Sequence, residues 1–254
     1  MQSQKDKTQM QPIAILKSDF GQRFVAPRQG ALVPHSRAEL HLVKGLRGRG
    51  MLDGLEGFSH VWLISLLHES ANTRQRGKVH PPRLQGKKVG ILASRTPHRP
   101  NPIGLTLAKV ESVDGDRLIV SGIDLIDGTP IFDLKPYLAQ ADRPDQYSCG
   151  WADNTDFPDL KCTISPEAEE AIQFLCKKGR IEDPQRFREV LKESLRLDPR
   201  PPAYKSKPDF RFATLICDFN VVFCHVENNG FVVVAIEDPR KPKAGLSRKL
   251  PKPE

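Results

Sequence analysis

Two Asp-Gly pairs between apolar segments constrain the fold of this 254-residue chain more than any other feature. Asp114-Gly115 and Asp127-Gly128 separate residues 105–113, 118–126 and 131–137, which are rich in strand-forming residues. Asp-Gly at such a place is a strong hairpin signal, because both turn positions need positive φ. With no helical pattern between the strands, the segment predicts an antiparallel meander, and a closed or half-closed barrel would hide its edges.

Further strand patterns precede the meander at residues 12–17, 38–43, 58–67 and 89–93. Residues 38–43 alternate, with Leu40 and Leu42 on one face and polar neighbours on the other. The segments 58–67 and 89–93 are almost wholly apolar, as in strands buried on both faces. The first domain is therefore predicted to be mainly β, a single-sheeted antiparallel β-barrel.

The later part of the chain has helical signals. Ser165 suits an N-cap before Pro166, apolar residues follow at helical spacing, and Gly179 ends the pattern. Asp183-Pro184 begins a second helix. Two strands are predicted over residues 212–226 and 231–236, joined near Asn228-Asn229-Gly230, so this smaller domain is expected to be α+β.

Four pieces result from these patterns. Residues 1–11 form a polar tail, 12–162 the β-barrel domain, 163–238 the α+β domain, and 239–254 a basic tail expected to be disordered.

The composition indicates which partners the protein binds and in which compartment it works. Lys plus Arg number 39 against 31 Asp plus Glu, and this net charge of +8 favours a polyanionic partner. Five cysteines without a C-x-x-C pair argue against a disulfide framework or a zinc site, so no metal is expected. No apolar run approaches the roughly 18 residues of a membrane span, and the N-terminus has no secretory pattern, so a cytoplasmic location is expected.

Three segments concentrate polar chemistry. Residues 74–88 are basic without an acidic residue, and they could follow a phosphate backbone or form a solvated surface loop. Ser94–Gly104 combines three prolines with two arginines, a histidine and an asparagine, which indicates a preorganised functional loop. Asp124–Tyr137 places ionisable groups and a tyrosine around the second Asp-Gly pair.

These motifs resemble the TrmO-type tRNA methyltransferases, also described as the TsaA-like or YaeB-like domain. The similarity is carried by Pro27-Arg28-Gln29, Ser94–Gly104, Asp127–Pro130 and Asp133–Tyr137, in the family's order, and covers roughly residues 12–155. Residues 165–239, including Arg196–Pro201, are similar to the C-terminal domain of the bacterial two-domain members.

The resemblance implies an activity, a donor and an assembly. It implies methylation of the exocyclic N6 of threonylcarbamoyl-adenosine, next to the anticodon of a threonine tRNA, with S-adenosylmethionine as the methyl donor. It also implies a β-barrel fold and a homodimer.

The same resemblance implies a cofactor site. Its residues would be Pro27, Arg28, Gln29, His68, Glu69, Arg95, Leu105, Asp127, Gly128, Thr129 and Pro130. These types suit the donor, because an arginine can hold the carboxylate of methionine, a leucine can pack on adenine, and a carboxylate favours the cationic groups.

Catalytic and RNA-binding roles are hypotheses from placement. Positions 133, 135 and 137 share one face of a strand, so Asp133 or Tyr137 could assist at N6 while Lys135 binds the substrate carboxylate. The alternative is a surface pair of Asp133 with Lys135 and a structural Tyr137. RNA contacts are expected at His98, Arg99, Asn101, Arg76, Lys78 and Lys87. For His98, Arg99 and Asn101, the alternative is contact with a second subunit.

Two other functions compete with this hypothesis. A non-catalytic RNA-binding barrel of the OB or cold-shock type would need aromatic stacking platforms. Aromatic residues make up 7% of the chain and none lies in residues 105–126, which disfavours that class. A small-molecule methyltransferase on the same barrel would not need the basic loop and tail.

Overall fold

The structure is a computed structural model that describes most of the chain. The described residues are 9–70, 77–84, 86–153, 156–200, 205, 210–226 and 230–240. The predicted basic tail beyond residue 240, the first eight residues of the polar tail, the junction at Asn228-Asn229 and Arg76 lie outside them.

Residue contacts divide the chain into two compact units. The first contains the described residues of ranges 1–19 and 26–158, and the second contains residues 20–25 and the described residues from 159 onward. The sequence-based domain boundary between residues 162 and 163 stays a prediction.

The first unit is a closed barrel with a small ribbon beside it. Its described strands and helix, in chain order, are β1 Ala14–Ser18, β2 Arg37–Leu42, β3 His60–Leu66, β4 Lys78–Val79, β5 Val89–Gly90, β6 Ile103–Asp114, β7 Arg117–Ser121, β8 Pro130–Pro136 and α1 Ala139–Asp142. The barrel order is β1-β2-β7-β6-β3-β8, with every neighbouring pair antiparallel, and β4 pairs with β5. This confirms the predicted mainly β, single-sheeted antiparallel barrel.

Alternating side chains fill the barrel. Leu40 and Leu42 face inward, as their alternation predicts. In β3, Val61 and Leu63 are fully buried, whereas the alternate residues Trp62 and Ile64 are half-buried on the outside. The prediction that residues 58–67 are buried on both faces is therefore wrong, because a barrel strand has one face on the core and one outside.

The first Asp-Gly pair does form a hairpin between β6 and β7. Asp114 pairs with Arg117, so the two loop residues are Gly115 and Asp116. Of these, Gly115 has the positive φ, at 55°. The hairpin prediction is confirmed, with the turn one residue later than expected.

The second Asp-Gly pair does not close a hairpin, and this prediction is wrong. β7 pairs with β2 and β6, whereas β8 pairs with β1 and β3. After Ser121 the chain crosses the end of the barrel before β8 begins. Long-range pairing partners decide this connection, although Gly128 does have a positive φ of 76°.

The predicted strand at residues 89–93 is also shorter than expected. β5 ends at Gly90, and Ile91–Ala93 is a turn of 3-10 helix. Leu92 is 74% exposed, so this apolar run is not buried on both faces. The turn redirects the chain into the loop that begins at Ser94.

The second unit is a sheet with two helices, as the predicted α+β class requires. Its elements are β9 Lys161–Ile164, α2 Pro166–Lys177, α3 Pro184–Arg196, β10 Arg211–Ile216, β11 Phe219–Val226 and β12 Gly230–Glu237. The strand order is β10-β11-β12-β9, with β9 parallel to β12. The predicted caps are confirmed, since Ser165 and Asp183 accept hydrogen bonds from the backbone at the starts of α2 and α3.

The prediction of one strand over residues 212–226 is wrong. Cys217 and Asp218 have φ of 48° and 64° and form a tight turn between β10 and β11. A two-residue turn with positive φ at both positions fits strand twist, but Cys-Asp is not a sequence signal for it.

Among the described helices, none combines the length and apolar character needed to cross a membrane.

Candidate active site

One end of the barrel collects three chain connections. The connections from β1 to β2, from β3 to β6 and from β7 to β8 all emerge there, because neighbouring strands alternate in direction. We call this end the rim, formed by residues 26–36, 67–70, 94–102 and 122–129. The predicted cofactor residues lie on the rim or on the first residues of β6 and β8, although they are far apart in sequence.

The first connection carries Pro27, Arg28 and Gln29. The next residue, Gly30, begins a 3-10 turn that packs against the third connection. A Cβ at Gly30 would lie 1.9 Å from the carbonyl oxygen of Gly122, so no side chain fits there. This close approach fixes the turn beside Gln29.

Arg95, from the second connection, reaches this turn. Its Nη1 donates a hydrogen bond to Oε1 of Gln29, and Nε2 of Gln29 donates to the carbonyl of Arg28. Two of the predicted cofactor side chains are therefore in direct contact across 66 residues of sequence.

The third connection is held by β1. The backbone N–H of Ser18 donates to Oδ1 of Asp127 at 3.0 Å, and the N–H of Gly128 donates to the carbonyl of Leu16 at 2.9 Å. Thr129 is buried, and its hydroxyl donates to the carbonyl of Ile126 at 2.6 Å. The turn from Asp127 to Pro130 is thus rigidly anchored at the rim.

His68 and Glu69 lie in a short 3-10 turn directly after β3. The N–H of Leu67 donates to the carbonyl of Pro102 at 2.7 Å, which ties this turn to the start of β6. Leu105, two residues into β6, is 60% exposed on the outer face of the barrel.

The predicted RNA-binding residues lie in two places. In the loop at residues 94–102, His98 and Asn101 are exposed, whereas Nη1 of half-buried Arg99 donates to the carbonyl of Ser94 at 2.8 Å. Arg99 therefore also braces its own loop. Lys78 and Lys87 are exposed near the β4–β5 ribbon.

Two of the predicted catalytic residues, Asp133 and Lys135, share the outer face of β8, and Tyr137 directly follows the last residue of the strand. Asp133 is opposite Ile64 and Lys135 is opposite Trp62, and Nζ of Lys135 is 3.0 Å from Oδ2 of Asp133. Tyr137 packs its ring 6.3 Å from that of Trp62, at the end of β8 away from the rim. The ion pair and the ring contact also fit the structural alternative, so the catalytic roles stay predictions.

Sequence reasoning missed Asp124. Its Oδ1 accepts a hydrogen bond of 2.5 Å from the hydroxyl of Thr106, an inward-facing residue of β6. Burial raises the pKa of the Asp124 carboxyl, although the hydrogen bond from Thr106 and the charge of Arg95 oppose that shift. Its one sequence signal is its position at the start of the polar segment Asp124–Tyr137.

The Gly30 turn allows a direct test of the rim. Gly30→Ala is expected to weaken S-adenosylmethionine binding at least about tenfold, because the turn beside Gln29 must move away from Gly122. Calorimetric titration measures this affinity. Gly57→Ala is the matched control, since a Cβ there meets nothing within 4 Å. Equal affinities for the two variants would contradict the assignment.

Two family models match the chain. The model of the tRNA-methyltransferase O N-terminal domain matches residues 15–143, and that of the TrmO C-terminal domain matches residues 158–239. The chain belongs to the TrmO family. This confirms the resemblance seen in the sequence motifs.

Individual relatives agree with this membership. A tRNA (adenine(37)-N6)-methyltransferase of Escherichia coli is 34% identical over 235 residues, covering 90% of this chain and 97% of the relative. A mouse protein of the same name is 46% identical over 140 residues, but that match covers 54% of this chain and about a third of the mouse protein, 32%. The crystal structure of TrmO from Pseudomonas aeruginosa has a TM-score of 0.75 at 30% identity, covering 93% of this chain and all of the other.

Proposed function

We propose that this protein transfers a methyl group from S-adenosylmethionine to the exocyclic N6 of threonylcarbamoyl-adenosine beside the anticodon of a threonine tRNA. Membership of the TrmO family supports methylation of tRNA adenine at N6. The observation that carries the proposal is the gathering of Gln29, Arg95 and Asp127–Pro130 at one rim of the barrel.

The rim residues suit such a donor chemically. The guanidinium of Arg95 can bind a carboxylate, the exposed side chain of Leu105 can cover an adenine ring, and the carboxylates of Glu69 and Asp127 can bind an ammonium group. When bound, the donor supplies an electrophilic methyl group.

The outer face of β8 supplies the groups for the acceptor. Asp133 is the candidate to accept the N6 proton, because its carboxylate lies on the exposed face nearest the rim. Lys135 would bind the carboxylate of the threonyl group. Because Nζ of Lys135 is 3.0 Å from Oδ2 of Asp133, a substrate carboxylate bound at Lys135 would lie next to the base.

Basic residues near the rim are proposed to bind the tRNA backbone. Replacing Lys78 and Lys87 by serine is expected to lower the slope of log affinity against log salt by about 1.5 to 2. Filter binding over a salt series measures the slope. Lys44→Ser is the control, because Lys44 is exposed beyond the opposite end of β2. An unchanged slope in the double variant would remove these residues from the interface.

The outer patch of the barrel, Ile64, Ile103 and Leu105, supports the proposed homodimer. Ile103 and Leu105 are 44% and 60% exposed, two residues apart on the outer face of β6, and a contiguous apolar patch favours association. Sedimentation of the wild type and of Ile103→Glu tests the homodimer, with dissociation expected for the variant.

We also propose that the protein works in the cytoplasm, where tRNA is modified.

The deciding experiment uses tRNA from cells that lack this protein. Incubation with the protein and S-adenosylmethionine, followed by nucleoside mass spectrometry, should yield methylated threonylcarbamoyl-adenosine. The control is tRNA from cells that also lack threonylcarbamoylation, which should not be methylated. If the protein binds tRNA but neither binds the donor nor methylates, the non-catalytic RNA-binding barrel replaces this proposal.

A further inference from the structure

Asp124 is a carboxyl at the mouth of the barrel that no assigned role uses. It lies in the third connection, and this part of the chain is tightly fixed. The N–H of Gly122 donates to the carbonyl of Ser36 at 3.1 Å, and the N–H of Ile123 donates to the Ser36 hydroxyl at 3.0 Å. The backbone of Asp124 therefore does not depend on its own side chain for position.

The side chain of Asp124 contacts β6 and lies near two other parts of the rim. Its Oδ1 accepts a hydrogen bond from the hydroxyl of Thr106 at 2.5 Å, and the backbone amide of Gly30 acts to lower the pKa of the carboxyl. The positive charge of Arg95 acts on the same carboxyl. Each of these three is, or directly adjoins, a residue of the predicted donor site, because Gly30 follows Gln29 and Thr106 follows Leu105.

Thr106 and Leu105 point to opposite faces of β6, so Asp124 lies inside the barrel mouth while Leu105 lies outside. Direct contact with the donor is not required for an effect on it. Removal of the Asp124 carboxyl leaves the hydroxyl of Thr106 without its acceptor, and this end of β6 would then shift.

We propose that Asp124 is a positioning residue for methyl-donor binding, which holds the Leu105 region of β6 in place beside the Gln29 turn and Arg95 through the hydrogen bond that it accepts from Thr106. This inference rests on the proposed function, because the donor site is assigned there. Burial raises the pKa of Asp124, so a neutral side chain that accepts the hydrogen bond from Thr106 should be tolerated at this position.

The test compares Asp124→Ala with Asp124→Asn. Alanine is expected to raise the dissociation constant for S-adenosylmethionine about tenfold to thirtyfold, with turnover at saturating donor and tRNA close to wild type. Asparagine keeps an oxygen that can accept the hydrogen bond from Thr106, and it should restore most of the affinity. Affinity for tRNA should be unchanged in both variants.

A second pair covers the case in which Asp124→Ala does not fold. Thr106→Val removes the donated hydrogen bond, whereas Thr106→Ser retains the hydroxyl, so valine should weaken donor binding and serine should not. Unchanged donor affinity in Asp124→Ala or Thr106→Val, or an asparagine variant as weak as alanine, would overturn the inference. If wild type itself does not bind the donor, the proposed function fails instead.

Discussion

Replacing Asp133 by asparagine is expected to lower the turnover number about a hundredfold, the usual contribution of a general base, while donor affinity stays close to wild type. Asparagine can still accept the hydrogen bond that the N–H of Leu134 donates to Oδ1 at 2.9 Å, but it cannot take a proton. Asp133 and Leu105 flank Ile64 on neighbouring strands, which places them roughly 10 Å apart. The base would therefore stand beside the donor site.

Three variants separate this role from the alternatives. Tyr137→Phe should turn over close to wild type, because Tyr137 lies four residues further from the rim and packs on Trp62. Lys135→Met should raise KM for tRNA more than it lowers kcat. Asp114→Asn is the control, an exposed carboxylate at the far end of β6. Full activity of Asp133→Asn would return Asp133 and Lys135 to a surface ion pair.

Replacing Arg200 by methionine is expected to lower the free energy of unfolding of the second unit by about 3 kcal/mol, as for other broken buried pairs. The side chains of Arg200 and Asp198 are 6% and 8% exposed, and Nε of Arg200 is 2.7 Å from Oδ1 of Asp198. The guanidinium also stacks on Phe231 at 5.1 Å. Without Arg200, Asp198 retains Lys205 as its cationic partner, at 2.9 Å.

The pH dependence of this loss has a definite sign. Burial raises the pKa of Asp198, but the hydrogen bonds from Arg200 and Lys205 outweigh burial and hold that pKa below its ordinary value. Such a carboxylate stabilises the fold above its unfolded pKa of about 3.9, and this contribution is lost as pH falls through the folded pKa. The difference between wild type and variant should therefore shrink in acid.

Urea denaturation at neutral and acidic pH measures both effects. Lys192→Met removes a partly exposed pair with Glu189 in the same unit and should cost less than about 1 kcal/mol. The double variant Asp198→Asn, Arg200→Met should be more stable than Arg200→Met alone, because it removes a buried carboxylate that has lost its buried partner and keeps only the half-exposed Lys205. If Arg200→Met were as stable as wild type, the ion pair of Arg200 with Asp198 would not be needed for stability.

Local chemistry made parts of the fold predictable. Ser165 and Asp183 cap their helices through contacts with residues three positions away, and Gly115 makes its turn through its own φ. The alternation of Leu40 and Leu42 decided which face of β2 is buried. Each of these depends on neighbours in sequence, so the pattern contains the information.

The candidate site was predictable only where a motif carried it. Gln29, Arg95 and Asp127 were identified by resemblance to a family, and their contacts join distant segments. Asp124 was missed because its hydrogen-bond partner Thr106 is brought to it by the barrel. The close approach of Gly30 to Gly122 could not be foreseen either, because glycine gives no sign of which backbone it meets.

By itself, the sequence determined the strand-rich first part, the capped helices, and the family whose motifs it contains. The tertiary structure alone decided that Asp127-Gly128 crosses the rim, that residues 20–25 join the second unit, and that Asp124 bonds to β6. The physical reason is the distance along the sequence between the residues that interact. Turns and caps are settled by free-energy differences within a few residues, whereas strand partners and rim contacts are selected by burial across the whole barrel.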